Sequence, residues 1–503
     1  MASAPRRVVP AALCVALCVS GPAAVAPAAG EAYGLFPAER FLAVEAGRAD
    51  GLAPAAALHL FADEWIAVPA PGLAATGRPP AETSAAADGL PLPPLAWLAA
   101  PELHEGARLL GPDRLELADG TVLPFAAVEP LPDNELYVDG STWAFFAARP
   151  LRVRGTTVED GSGEEGGRRF VARTVWPEDA RIPWRSLEPE SVVPPESLAD
   201  LVRAQVPSWP AARLLWERDR PGPRDWAGRP VLAVVLSGAQ ADAPGSQAGH
   251  IAVATGRLGP DGEWADWLAN NVYPIETVGE KGIVSGPVPM DNYLTDLNSG
   301  QAMYRPIHVL VAVLASEEPA AAVQEAFQEL FLRYWCRDVR FHRARHNSTE
   351  MSVDRLREAG WQVPRVGGTS RLTGALAAVV VAVATLRPGL ARDAWSYFTE
   401  ERTDFLPRVA FETAAEDLLT LVAGEPGRIL TPLETTLRED TDAILFLRFP
   451  QIPSSRPFGT YAVDSIRGYR ARVALREATG IDPKGPEERP FPDPLREACS
   501  SLP

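Results

Sequence analysis

The sequence predicts an α+β protein: a β-rich N-terminal domain, then a central domain of strands followed by helices, then a helical and mixed C-terminal region. Three observations carry this reading. Between residues 34 and 187, short alternating runs are broken by Asp-Gly turns, as at Leu117-Ala118-Asp119-Gly120-Thr121. Pro230–Leu236 is a continuous apolar run of the kind found in strands buried on both faces. Helical spacing takes over after Pro319. The 503 residues are 46% hydrophobic and 22% charged, which excludes a disordered tail and a polytopic membrane protein. With 48 Lys+Arg against 65 Asp+Glu the net charge is −17, so the chain as a whole repels phosphate backbones and anionic lipid, and nucleic acid is not an expected partner.

Residues 1–29 have the order of a secretory signal: Arg6 and Arg7, an apolar run from Val8 to Val19, then Ala24-Val25-Ala26. Cleavage near Ala26 removes two arginines and no acid, and the expected localisation is periplasmic or extracellular. Cys336 and Cys499 remain after cleavage; one bridge between them and two separate thiols stay equally open. Cys336, between aromatic neighbours, reads as a core residue.

Residues 30–187 form the expected β-rich domain, with Leu115–Leu123, Glu135–Phe146 and Arg168–Val175 as strands. Residues 188–229 read as a helical linker, from the spacing of Leu198, Leu201, Val202 and Val206. The central domain, 230–365, opens with strand Pro230–Leu236. Strands follow at His250–Gly256, Trp264–Tyr273 and Tyr304–Leu314, then helices at Pro319–Val339 and Ser348–Ala359, the second ended by Gly360. In 366–503, the charge-free run Leu372–Leu386 is too short to span a bilayer and reads as a buried core helix. Strands are expected at Ala443–Phe449 and Gly459–Val463. No stable transmembrane span is expected.

Chemistry concentrates in the central domain. His250 opens a strand, and Asn270-Asn271 lie on the returning one. If Leu258 pairs with Glu263 around the Gly259–Gly262 turn, His250 faces Asn271; a one-residue bulge substitutes Asn270. A histidine base oriented by an amide is one form of triad logic, and Ser348, at a helix start, stands where unpaired N–H groups stabilise an anion. The alternative is a structural strand-end histidine beside asparagines that close a turn. His342, His346 and Glu350 fall at i, i+4 and i+8, but Arg340, Arg343 and Arg345 crowd them with positive charge, so no metal is expected there. Asp291–Gln301 reads as a solvated loop with acidic caps. No cofactor is expected.

The Gly249-His250 strand start, the hairpin, and Asn347-Ser348 opening a helix about a hundred residues later resemble the circularly permuted branch of the papain-like fold. That branch groups NlpC/P60-type amidases with lecithin:retinol acyltransferase-like enzymes. The resemblance covers roughly Pro230–Trp361. It implies His250 as base, Asn271 as its orienting partner and Ser348 in the place of the nucleophilic cysteine. It further implies an exported cell-envelope hydrolase or acyltransferase acting on an amide or acyl bond of an envelope peptide or lipid-derived substrate. A serine hydroxyl is far less acidic than a thiol and must lose its proton during attack, so the same resemblance also accommodates a catalytically inactive binding or scaffold protein.

Overall fold

A computed structural model describes residues 36–37, 55–61, 64–69, 96–97, 100, 102–127, 140–159, 167–190, 198–204, 210–238, 249–265, 267–272, 286–296, 306–335, 339, 346–368 and 370–449. The expected signal segment, Cys336, Cys499, His342 and the strand expected at Gly459–Val463 lie outside these residues.

Strands β1 (Phe36–Pro37), β2 (Ala55–Phe61), β3 (Glu64–Pro69) and β4 (Ala96–Trp97) pair in sequence order as one antiparallel sheet. Leu109, Leu115, Phe125, Val153 and Phe170 then turn inward from β5 (Glu102–Gly111), β6 (Arg114–Glu116), β7 (Val122–Ala127), β8 (Leu151–Glu159) and β9 (Arg168–Pro177), closing a barrel in the order β5-β6-β7-β9-β8. The Asp-Gly turn forms as expected, with the Leu117 N–H donating to Thr121 O at 2.8 Å. The described part of Glu135–Phe146 is not a strand but belongs to helix α1 (Gly140–Ala147). Thr142 and Phe146 are both fully buried while Ala144, midway between them, is exposed, which is a helical period rather than an alternating one.

The stretch expected as a helical linker supplies helix α2 (Leu198–Arg203), but also strand β10 (Ala211–Glu217). β10 is the edge of a seven-stranded antiparallel sheet with β11 (Pro230–Ser237), β12 (His250–Arg257), β13 (Leu268–Asn271), β14 (Gly286–Pro289), β15 (Ile307–Leu314) and β16 (Thr441–Phe449), in the order β10-β16-β15-β11-β12-β13-β14. The central sheet therefore draws strands from both the linker and the C-terminal region. Every residue of β11 and of β15 is buried, so both faces of the sheet are covered, as the continuous apolar runs require.

The two covers differ. The registers put Leu236, Ile251, Val253, Thr255, Asn270, His308 and Phe446 on one face. There, helices α4 (Glu318–Trp335), α5 (Ser348–Ala359) and α9 (Pro407–Ala423) pack. Gln324 of α4 accepts from Thr255 Oγ1 at 2.7 Å and exchanges two bonds of 2.9 Å with the Asn270 amide, while Phe411 of α9 meets Phe446. The barrel covers the opposite face: Trp176 of β9 sits edge-on to Trp264 at 4.9 Å, and Phe449 of β16 lies 4.2 Å from Trp264.

Asp291–Thr295 is no solvated loop. It belongs to helix α3 (Met290–Thr295), buried along its whole length between barrel and sheet. Asp291 Oδ2 accepts from Arg152 Nε at 2.8 Å and from Arg154 Nη2 at 3.3 Å, both on β8. Asp296 accepts from Arg173 of β9 at 2.9 and 3.2 Å. Charges buried this way are tolerated because each meets its opposite, and the required geometry fixes how barrel and sheet meet.

Leu372–Leu386 is a helix, but not a core helix. In α6 (Arg371–Thr385) only Gly374 is buried, and the helix packs chiefly against α7 (Pro388–Thr399), its partner in a hairpin. The apolar run reads as core because periodicity reports that a face is apolar, not what covers it. Two further helices, α8 (Arg402–Phe405) and α10 (Pro432–Asp440), lead back to β16.

Candidate functional site

His250 is set in place by backbone. Gly249 has φ 142°, and a Cβ there would lie 2.7 Å from the carbonyl oxygens of both Ser237 and Gly238. Only glycine lets the chain pass so close to the end of β11, and the next residue enters β12 opposite Ser237. The imidazole is 5% exposed, and its Nε2–H donates to Asn271 Oδ1 at 2.6 Å. With Nε2 protonated by that choice of partner, the basic nitrogen is Nδ1. The Tyr293 ring of α3 lies 6.4 Å away.

The pair meets by a different register from the expected one. Ala254 pairs with Ala269 and Thr255 with Leu268, which puts Asn271 level with Ala252 and diagonal to His250. The returning strand starts only at Leu268, because Trp264 and Trp267 form a turn whose indole N–H groups reach Ala180 O at 2.6 Å and Arg257 O at 2.8 Å. The slip is two residues, and an even slip keeps every side chain on its face. Asn270, the bulge alternative, points to the other face and binds Gln324.

Ser348 is the first residue of α5, half-buried, and forms no hydrogen bond with His250. The alternation of β12 sends Thr255 toward α4 and His250 the other way, toward α3 and the barrel; α5 packs with α4 on the helical face. The His250 side chain thus points away from the face on which α5 packs. The N–H groups at the start of α5 are engaged too: Asn347 Oδ1 accepts from Thr349 at 2.8 Å and from Glu350 at 3.2 Å. A capped terminus offers fewer donors to an oxyanion. Beside it, His346 Nδ1 lies 3.1 Å from Glu350 Oε2, and that hydrogen bond pulls the His346 pKa upward against partial burial. Among the described residues no group of three His, Cys, Asp or Glu side chains is arranged to hold a metal ion.

A cavity of about 430 Å³ opens elsewhere, between the barrel and the Trp264 turn, lined among others by Glu105, Arg152, Trp176, Glu178, Glu263 and Trp264. Arg152 is held there by Asp291 and by Glu105 at 2.8 Å each, and Glu178 accepts from the Gly106 N–H at 2.5 Å. Burial pushes the Glu178 carboxyl above its ordinary range, and Glu105 adds to the shift against that hydrogen bond and Arg181. The sequence gives no sign of this site: its residues come from five separated segments, and Leu151-Arg152-Val153-Arg154 has the alternation of a strand with a solvated face although all four side chains are buried.

The chain matches no protein-family model, no curated protein and no solved structure.

Proposed function

We propose that this is an exported cell-envelope protein whose central domain, with the permuted papain-like character read from 230–365, works by binding and is catalytically silent toward acyl and amide bonds. What supports the reading is the direction of His250: strand alternation turns it toward α3 and the barrel, away from the helical face on which α5 packs, and the N–H groups of Thr349 and Glu350 beside Ser348 are taken up by Asn347. A general base must come within hydrogen-bond reach of the proton it removes, directly or through one water. The cavity beside Arg152 and Glu178, lined by polar and apolar side chains together, offers a place for a small ligand.

A second reading, an amidase, peptidase or acyltransferase built on Ser348, His250 and Asn271, is favoured by the 2.6 Å bond between His250 and Asn271. That bond orients the imidazole as a catalytic base requires. Treatment of the purified protein with a fluorophosphonate probe separates the two. Binding alone predicts no labelling beyond that of the Ser348→Ala variant. Labelling that disappears in both Ser348→Ala and His250→Ala would establish the enzyme instead.

A further inference from the structure

Most of the large exposed apolar side chains among the described residues are concentrated on one hairpin. On α6, Leu372, Leu376, Val379, Val380 and Val383 are each between 62% and 74% exposed. Their spacing, four, three, one and three residues, puts them on one face of the helix. The opposite face is occupied: Gly374 is buried where Trp395, Phe398 and Thr399 of α7 approach within 3.0–3.4 Å of the space a Cβ would fill. Leu386 and Leu390 extend the apolar face around the hairpin bend, and Trp395 and Tyr397 are exposed on α7.

Charge distinguishes what this face fits. The whole chain carries −17, yet from Arg371 to Arg392 it holds three arginines and no acid. Arg371 and Arg387 flank the two ends of α6, a helix about 22 Å long at the usual rise per residue. The surface is a convex helix rather than a groove, so a broad, deformable partner suits it better than an inserted peptide. No helix among the described residues is long and apolar enough to cross a membrane. An apolar helical face with arginines at its ends matches a helix lying in the plane of a bilayer, aliphatic side chains among the acyl chains and guanidinium groups at the phosphates. Exposed Trp and Tyr fit the same boundary.

We propose that the α6–α7 hairpin docks this protein on the surface of an anionic phospholipid bilayer, lying in the interface without spanning it. The test uses the purified chain, sedimented with vesicles of phosphatidylcholine mixed with phosphatidylglycerol and with vesicles of phosphatidylcholine alone. Binding is expected to be about tenfold or more stronger to the mixed vesicles and to weaken as salt rises. Leu376→Glu and Val380→Glu should each remove it, whereas Arg387→Glu should weaken it on mixed vesicles only. All three positions are exposed, so circular dichroism and the melting temperature should stay at native values. Failure of the native chain to bind mixed vesicles overturns the proposal. So does binding that survives Val380→Glu, or a dimer in solution that the same substitution splits; the last outcome would assign the face to a second copy.

Discussion

Asp291 and Val380 stand on helices of the same chain, and each is where its chemistry is least at home. The Asp291 carboxylate is 1% exposed among arginines, while the Val380 isopropyl group is 65% exposed to water. The carboxylate is answered within the molecule: Arg152 and Arg154 of the barrel reach it, and the junction of barrel and sheet is pinned at a defined angle. Among the described residues the apolar face of α6 has no such answer. Buried charge here specifies how two parts of one molecule meet, whereas exposed apolar surface specifies something the molecule meets.

The sharpest way to break that contrast is Asp291→Ala. It takes the Asp291 carboxylate from the buried Arg154 and leaves Arg152 with that of Glu105, and should cost about 3–5 kcal/mol, read by denaturant unfolding. A cost below 1 kcal/mol would mean that the junction does not depend on the charge pair. Burial pushes the Asp291 pKa up, but Arg154 and Arg152 outweigh it, and the carboxyl is held below its ordinary 3.8. Its stabilising contribution is therefore complete above about pH 4 and is lost as pH falls further.

His308 gives a second, pH-resolved test, because it is buried charge chemistry with no answer at all. It is 1% exposed, stacks on Phe446 at 5.9 Å, and neither ring nitrogen has a hydrogen-bond partner among the described residues. Burial, then Arg448 and Arg408, lower its pKa from 6.5 to about 3. The unfolded chain takes up this proton first, so stability falls as pH drops from 6.5 toward 3, by up to about 1.4 kcal/mol per unit. His308→Leu should flatten that part of the stability–pH curve; an unchanged slope would contradict the assignment.

Asn271→Ala tests the candidate site. It leaves the buried Nε2–H of His250 without its acceptor and should cost about 1–3 kcal/mol. If the site is a binding scaffold, the loss appears in the melting temperature and in no catalytic rate. The smallest effect belongs to the hairpin: Val380→Ser should change stability by no more than about 0.5 kcal/mol. A larger loss would show that α6 is covered in solution.

The same contrast explains what could be read from the sequence. The strands β11, β12, β15 and β16 were legible because a strand covered on both faces leaves an unbroken apolar run, and α5 was legible to the residue because Asn347 caps it and Gly360, at φ 112°, stops it. The meeting of His250 and Asn271 was also legible, although the pairing is two residues out, since an even slip hides itself. Which side of the sheet α5 occupies was not legible, because nothing local in Asn347-Ser348 encodes it. The barrel arginines were hidden in an alternating pattern, and α6 was misread as core because an apolar face looks the same whether protein, lipid or water lies against it.

β16 has a consequence in time. It lies between β10 and β15, yet it is made more than two hundred residues after β10. At about 5–20 residues per second of synthesis, β10 waits ten seconds or more for the strand it pairs with among the described ones. Until then β15 presents an unpaired row of backbone groups, and the central sheet cannot close around its strongest strands. The last described strand is thus the keystone of the sheet, and a chain stopped just before Thr441 would keep most of its sequence but leave β10 detached and β15 as a raw edge.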